Sequence, residues 1–394
     1  MKNESVAILD IRSGEVSFSL GAKGVNGTFA FKDSHTEGYE GYCVEGLFDE
    51  LSFRRAVSAA TMAVRQNYNG VIEKLYVGIP APFVTVHTKG HTITFSSKRK
   101  INAQDVDALF ESGLNDLMGK GHCIHRSAMY FALGDNRKYF STQTLYGVSA
   151  NLLKGALCYY FVSEEFFTMV NKLLDELGFS EIVFVPSTLA QAEYLLSENH
   201  REGYAFLLDV GFLTSSISIV YGNGIVDEAS FNCGVGPILV ALMQELDVDY
   251  SLAEDILISA NISGGSVPKG MVWLSERDER QISVQQINDI IKCSLDVLCE
   301  RVEAFFAVRY RDKASAILTH NPISITGEGI SYVKGAAEHI SRRLNRHTEI
   351  VAPDLPYYDK PAFSSRIGLL NVATAEVKKR SLFQRIFNRS GGKK

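Results

Sequence analysis

Two strand–turn–strand units of one design, about 200 residues apart, restrict the folds open to this chain more than any other feature. In the first, the apolar run Val6–Leu9 leads into Asp10-Ile11-Arg12-Ser13-Gly14. Val16, Phe18 and Leu20 then alternate with Ser17 and Ser19. In the second, Phe206-Leu207-Leu208 leads into Asp209-Val210-Gly211-Phe212-Leu213, and Thr214-Ser215-Ser216 opens a return strand through Ile217, Ile219 and Val220. Period-two alternation around a turn of Asp, Gly and Ser reads as a hairpin with one face buried. A carboxylate at such a turn, beside free backbone N–H groups, can hold a magnesium-bound phosphate. A third loop, Ile325-Thr326-Gly327-Glu328-Gly329, precedes a predicted helix over 332–345. Its glycines would let a base or ribose approach the backbone, with a helix N-terminus adding donors.

The 394 residues suffice for two or more domains, each with its own core. With 46% hydrophobic and 22% charged residues, the chain has a globular composition and not that of a disordered or fibrous one. A net charge of −5 provides no global field for nucleic acid. Cysteines 43, 123, 158, 233, 293 and 299 form no C-x-x-C pair, so they read as reduced, mostly buried residues of a cytosolic protein. The first residues run straight into a strand, which predicts no signal peptide, and no apolar run is long enough to span a bilayer.

Strand and helix patterns alternate in both halves, predicting an α/β protein of two similar layered domains. Helices are expected over 49–69, 164–177, 188–197, 235–262, 283–309 and 364–376, and buried strands at 74–79, 182–185 and 323–326. Strand candidates also lie at Ala316–Leu318 and Ile350-Val351, with a short hairpin around Trp273. Pro80 and Pro82 mark a subdomain boundary. Beyond them, 83–162 reads as a β-rich insert with strands at 84–87, 91–95, 129–133, 143–145 and 156–162. Its single helix is capped by Asn102, with Asp105 in the first turn.

The order of the three loops resembles the superfamily of actin, heat-shock chaperone ATPases and sugar kinases: phosphate-1 hairpin, phosphate-2 hairpin, adenosine loop. Within it the chain is most similar to the FtsA family of bacterial cell-division proteins, over nearly its whole length. Residues 76–79 (YVGI) resemble the strand before that family's 1C insert, and 99–105 (RKINAQD) its entry into the 1C helix. Residues 185–193 (VPSTLAQAE) resemble its Q-P-L-A-S-A-E segment, 233–236 (CGVG) its V-G-G turn, and 361–370 its C-terminal P-x-x-A-T-A-V-G-L-L.

The resemblance implies an actin-like fold of two duplicated ribonuclease-H-like domains with a 1C insert. The first domain would comprise 1–82 and 163–198, the insert 83–162, the second domain 199–243 and 314–376, and its 2B subdomain 244–313. ATP and Mg2+ would be held by Asp10, Ser13, Gly14, Asp209, Gly211, Thr214, Gly234, Gly236, Glu254, Gly327 and Gly329, with Asp10 and Asp209 reaching the metal through water. The implied role is a head-to-tail polymer that tethers the FtsZ ring, through its C-terminal peptide, to the cytoplasmic face of the membrane at the division site, alongside other division proteins. The family's D-I-G-T-T-K reads Asp10-Ile11-Arg12-Ser13-Gly14-Glu15 here, and its D-I-G-G-G-T-T-D has become 209–216 (DVGFLTSS). The Lys of its A-E-x-L-K is absent after Ala253-Glu254. No water-positioning acid is evident, so no catalytic residue is expected and hydrolysis should be slow at most.

The C-terminal stretch 376–394 carries seven basic residues and one acid, Glu376. At helical spacing Leu382, Phe383, Ile386 and Phe387 share one side, while Arg385 and Arg389 lie on the other. A basic amphipathic helix of this kind suits in-plane binding to an anionic bilayer. The family's ending implies the same role, and polymerisation would strengthen the modest affinity of a single tail. Two further readings share the fold: a PilM-like platform for pilus or secretion assembly, and a pseudo-ATPase scaffold without nucleotide. A sugar or metabolite kinase would need an acceptor-facing acid that is not evident. The pairs His87/His91 and His122/His125 read as surface or core histidines, Gly264-Gly265 as a hinge, and Arg277, Arg280 and Lys292 as a solvated face.

Overall fold

A computed structural model describes residues 5–375 except 25–27, 69, 71, 73, 136, 265–266, 276–279 and 311–320. The strand expected at Ala316–Leu318, Arg277 and the amphipathic tail lie outside the described residues.

Two five-stranded sheets share one topology. The first contains β1 (Val6–Ile11), β2 (Glu15–Lys23), β3 (Phe29–Gly38), β6 (Lys74–Ile79) and β11 (Glu181–Pro186), in the order β11-β6-β1-β2-β3. The three hairpin-linked strands are antiparallel, and β6 and β11 extend the sheet in parallel from β1. Between β3 and β6 the chain forms the small hairpin β4 (Tyr42–Cys43) and β5 (Gly46–Leu47), then α1 (Glu50–Asn67). The second sheet repeats the layout with β12 (Tyr204–Val210), β13 (Ser215–Tyr221), β14 (Gly224–Phe231), β17 (Ile323–Thr326) and β18 (Thr348–Ile350), ordered β14-β13-β12-β17-β18. Asp10 and Asp209 fall at equivalent positions, paired laterally with Gly78 and Thr326 on the adjacent parallel strand. Strands covered on both faces need continuous apolar sequence, and β1 is buried throughout.

Helices cover the sheets. In the first domain these are α1, α4 (Glu164–Glu176), α5 (Ser187–Leu195) and the short α6 (Glu198–Arg201). Asp49 and Ser163 cap α1 and α4 by accepting from backbone N–H groups of the first turn. The second domain carries α7 (Val235–Leu246), α8 (Tyr250–Ser259) and α9 (Val284–Tyr310), with α10 (Ala336–Arg343) later in the chain, while α11 (364–375) packs Ile367, Leu370 and Ala373 against Ile8 and Tyr76 of the first sheet. The expected helix over 235–262 is therefore two helices. Asp247 adopts a left-handed φ of 51° and ends the first, while Asp249 caps the second. The hairpin β15 (Val272–Leu274) and β16 (Gln281–Ser283) forms around Trp273 as expected. The helix expected from 332 begins at Ala336, because Gly335 at φ 89° interrupts the backbone before it.

The insert is a sheet of its own. Strands β7 (Val84–Lys100), β8 (His122–Ala132), β9 (Lys138–Tyr139) and β10 (Ser149–Val162) lie in the order β7-β10-β8-β9. Across it pack α2 (Ala103–Asn115) and the one-turn α3 (Thr142–Leu145), around a core including Leu109, Phe110, Phe131, Leu153 and Tyr159. The Asn102/Asp105 capping box is complete, and Arg99 grips the Asp105 carboxylate with both terminal nitrogens. Two expectations are corrected. The turn between His87 and His91 is absent, because β10 pairs with β7 along its length and keeps Lys89 and Gly90 extended. Residues 143–145 are helical, because Ser141 Oγ accepts from Gln143 N at 3.1 Å and starts a helical turn.

The insert also touches the second domain. Gly222, at φ 57° in the β13–β14 turn, lies so close to β8 that a Cβ there would sit 1.7 Å from the Met129 carbonyl. Buried Tyr160 on β10 accepts from Ile225 N at 3.0 Å with its hydroxyl, beside Ser127 Oγ at 3.1 Å. Tyr160→Phe would leave that buried N–H unpaired. Urea unfolding is expected to show a loss of about 1–3 kcal/mol, and an unchanged midpoint would remove this contact from the list of domain couplings.

Candidate functional site

Duplication brings the two Asp-bearing turns face to face. Ser13, Asp209, Gly211, Thr214 and Gly327 line one small cavity with Arg12, Tyr42, Ser187, Gln191, Glu328 and Ser365. Asp10 sits fully buried at the end of β1. Its Oδ1 accepts from Ser365 Oγ at 2.5 Å, and its Oδ2 has no partner in the structure. Asp209 Oδ2 accepts from Gln191 Nε2 at 2.9 Å. Burial pushes the Asp209 carboxyl above its usual range, against the Gln191 hydrogen bond and Arg12, with Asp10 adding to the rise.

The glycines of the three loops lie against the chain's own backbone and side chains. Gly236 N donates to the Phe212 carbonyl at 2.7 Å, and a Cβ on Gly234 would lie 2.2 Å from the same oxygen. A Cβ on Gly329 would meet the Gly211 carbonyl at 2.6 Å, and one on Gly14 would meet the Phe212 ring at 3.1 Å. Gly327, at φ 98°, faces Asp209 Oδ1 at 2.2 Å in the same sense. In each case the crowding group belongs to the chain's own 209–214 loop. Glu254 on α8 does not line the cavity; its charge acts on Tyr332 and Tyr250 instead.

Arg12, where a phosphate loop would have glycine, crosses the cleft. Its Nη2 forms an ion pair with Glu328 Oε2, while Nη1 donates to the Ala362 carbonyl at 2.9 Å and lies 3.4 Å from Glu15. Burial pulls the guanidinium down, but Glu328, Asp10, Glu15 and Asp209 together hold it above its ordinary value. It therefore stays charged at any working pH. Burial pushes the Glu328 carboxyl above its usual range, against the pull of Arg12. Leu213 fills further space: its N–H donates to Ser13 Oγ at 2.9 Å, and its side chain would lie 2.5 Å from a Cβ on Gly41.

The cavity that remains is about 50 Å³. Sites for drug-sized molecules occupy about 300–1,000 Å³, whereas this volume takes only a few waters. As closed here, the residues of the cleft do not fit a nucleoside triphosphate. Among the described residues no group of three His, Cys, Asp or Glu side chains could hold a metal.

The sequence passed over Gln191, Ser187, Ser365 and Tyr42 as site residues. Ser187 and Gln191 lie in 185–193 and Ser365 in 361–370, and the family resemblance of those segments is the signal that points to them. Tyr42 carries no local signal, and burial raises its phenol well above the usual range. The histidine pairs are packing residues: His91 Nε2 bonds Ser112 Oγ at 2.7 Å, and His122 stacks on Phe167. Of the six cysteines only Cys158 and Cys299 are buried, fewer than expected, while Cys293 is exposed. No described helix is long and apolar enough to cross a membrane.

No protein-family model matches the chain, and neither does any curated protein. Solved structures do. A PilM–PilN type IV pilus biogenesis complex aligns at 12% identity over 94% of this chain and 99% of that one, with a TM-score of 0.60. MreB5 of Spiroplasma citri bound to ADP aligns at 9% identity over 96% and 98%, with a TM-score of 0.54. The ethanolamine utilization protein EutJ from Carboxydothermus hydrogenoformans aligns at 10% identity over 94% and 90%, with a TM-score of 0.51. With the duplicated sheets, these likenesses establish that the chain has the actin-like two-domain α/β fold.

Proposed function

We propose that this chain is a non-enzymatic, self-associating actin-fold scaffold, held on the cytoplasmic face of the membrane by its basic C-terminal tail. There it recruits a partner polymer as an FtsA-like tether of FtsZ does, through that protein's C-terminal peptide. The observation that carries this reading is the tail itself, where Leu382, Phe383, Ile386 and Phe387 alternate with Arg385, Arg389 and flanking lysines. Four apolar side chains and seven cations favour an anionic surface, and a polymer would multiply one weak anchor into a stable one.

Co-sedimentation with phosphatidylglycerol vesicles tests the reading. Full-length protein is expected to pellet with anionic vesicles but not with phosphatidylcholine ones, and added salt should weaken it. Ile386→Asp/Phe387→Asp should reduce pelleting at least tenfold, and so should removal of 377–394. Vesicle binding that survives the truncation sinks the tether.

A PilM-like assembly platform is the second reading, favoured by the likeness to the PilM–PilN complex. It needs no amphipathic tail. Binding of an FtsZ C-terminal peptide, read by fluorescence anisotropy, separates the two: the tether requires it and the platform does not.

A further inference from the structure

The two domains are joined by contacts that the chain supplies at three separate places. Deep in the cleft, the buried guanidinium of Arg12 on the first domain meets Glu328 on the second. Beside it, Ser13 Oγ accepts from Leu213 N, and Leu213 packs over Gly41. At the cleft edge, Asn232 accepts from Val44 N at 2.8 Å through Oδ1 and donates to Glu45 Oε2 at 3.0 Å through Nδ2, tying the β4–β5 hairpin to the second domain. On the other side, the Gly222-Asn223 turn is wedged against the insert, with Asn223 Nδ2 donating to the Phe140 carbonyl at 2.5 Å.

We propose that these contacts act as a built-in clamp, closing the two domains in the place where a bound nucleotide would otherwise bridge them. A ligand shifts a conformational equilibrium only by its different affinity for the two states. Here the bridging groups are part of the chain, always present, and they occupy the volume that phosphates would need. A nucleotide could enter only by separating a buried ion pair and expelling Leu213, which lowers its apparent affinity a hundredfold or more. Closure is therefore constitutive: the protomer is competent for assembly without a nucleotide and is not switched by one. The inference concerns the isolated protomer, so it stands or falls independently of membrane binding.

The experiment has two arms on the full-length protein. In the first, ATP with Mg2+ and ADP with Mg2+ are titrated to about 1 mM by calorimetry and thermal shift. The expected result is no saturable heat and an unchanged Tm. A site of even 10 μM affinity would stabilise the fold measurably at that concentration, so a saturable rise overturns the proposal. In the second, hydrogen exchange is followed by mass spectrometry in a peptide covering 209–216, without nucleotide. The Leu213 amide should be protected in the wild type and exchange at least tenfold faster in Glu328→Gln, which removes the charge but keeps the shape. A wild-type peptide that exchanges like an open loop, or a variant with unchanged protection, overturns the clamp.

Discussion

Arg12→Ala is expected to lower the unfolding free energy by about 3–5 kcal/mol, read as a shift of the urea midpoint at constant m. The size follows from what is left behind. Both side chains of the Arg12–Glu328 pair are nearly out of water, 13% and 14% exposed, so truncating one leaves the other's charge buried without a partner. The Ala362 carbonyl also loses its donor. Glu328→Ala should cost a similar amount for the mirrored reason. The double variant Arg12→Ala/Glu328→Ala should be less destabilised than the sum of the two, because neither charge is then stranded. A coupling of at least about 1 kcal/mol is expected from the cycle. Additive single costs would mean that the ion pair holds nothing together.

Stability is also expected to fall as pH rises from about 4.5 to 7, and Glu228 is one group responsible. Burial raises its carboxyl from 4.5 to about 7, outweighing its hydrogen bonds with Thr188 and Ser218, while Asp227 adds to the rise. Ser218 Oγ donates to it at 3.3 Å from the neighbouring strand. The folded state therefore binds this proton more tightly than the unfolded chain. Its stabilising effect is complete below the unfolded value, declines as pH rises through 4.5 to 7, and is gone above. The full swing is on the order of 3 kcal/mol for such a shift. Asp209 and Glu328, also raised by burial, act in the same direction. Glu228→Gln keeps the shape and both partners but cannot ionise. Its urea midpoint should match the wild type near pH 4 and exceed it at pH 8. Two parallel curves would contradict the assignment.

How much of this was legible beforehand differs from element to element. The strands β1, β2, β12 and β13 could be read directly, because alternation and turn chemistry act between neighbours in sequence. The complete capping box at Asn102 was equally plain, being a matter of three residues. The turn expected at Lys89-Gly90 failed for the opposite reason. Glycine there signals a break locally, but pairing with β10 supplies cross-strand hydrogen bonds that local propensity does not include. Residues 143–145 failed because one serine hydroxyl, as an N-cap, outweighed a weak strand preference.

The candidate site shows the same division. Asp10, Asp209, Gly211 and Gly327 were legible because carboxylates at strand ends and glycines in loops carry their own signal. The substitutions Arg12, Phe212 and Leu213 were visible as departures from a phosphate-binding pattern. Their consequence was not, since an arginine in a turn is compatible with solvent, phosphate or an internal carboxylate.

The duplicated α/β architecture is legible in the chain because strand alternation and turn residues are short-range signals. What fills the space between the two Asp-bearing turns is a long-range matter. Arg12 finds Glu328, Ser13 finds the Leu213 amide, and Gly14, Gly234 and Gly329 find the 209–214 loop, each across a long span of chain. Such partners are chosen by packing and by the cost of burying an unpaired charge, which exist only once the two domains are closed.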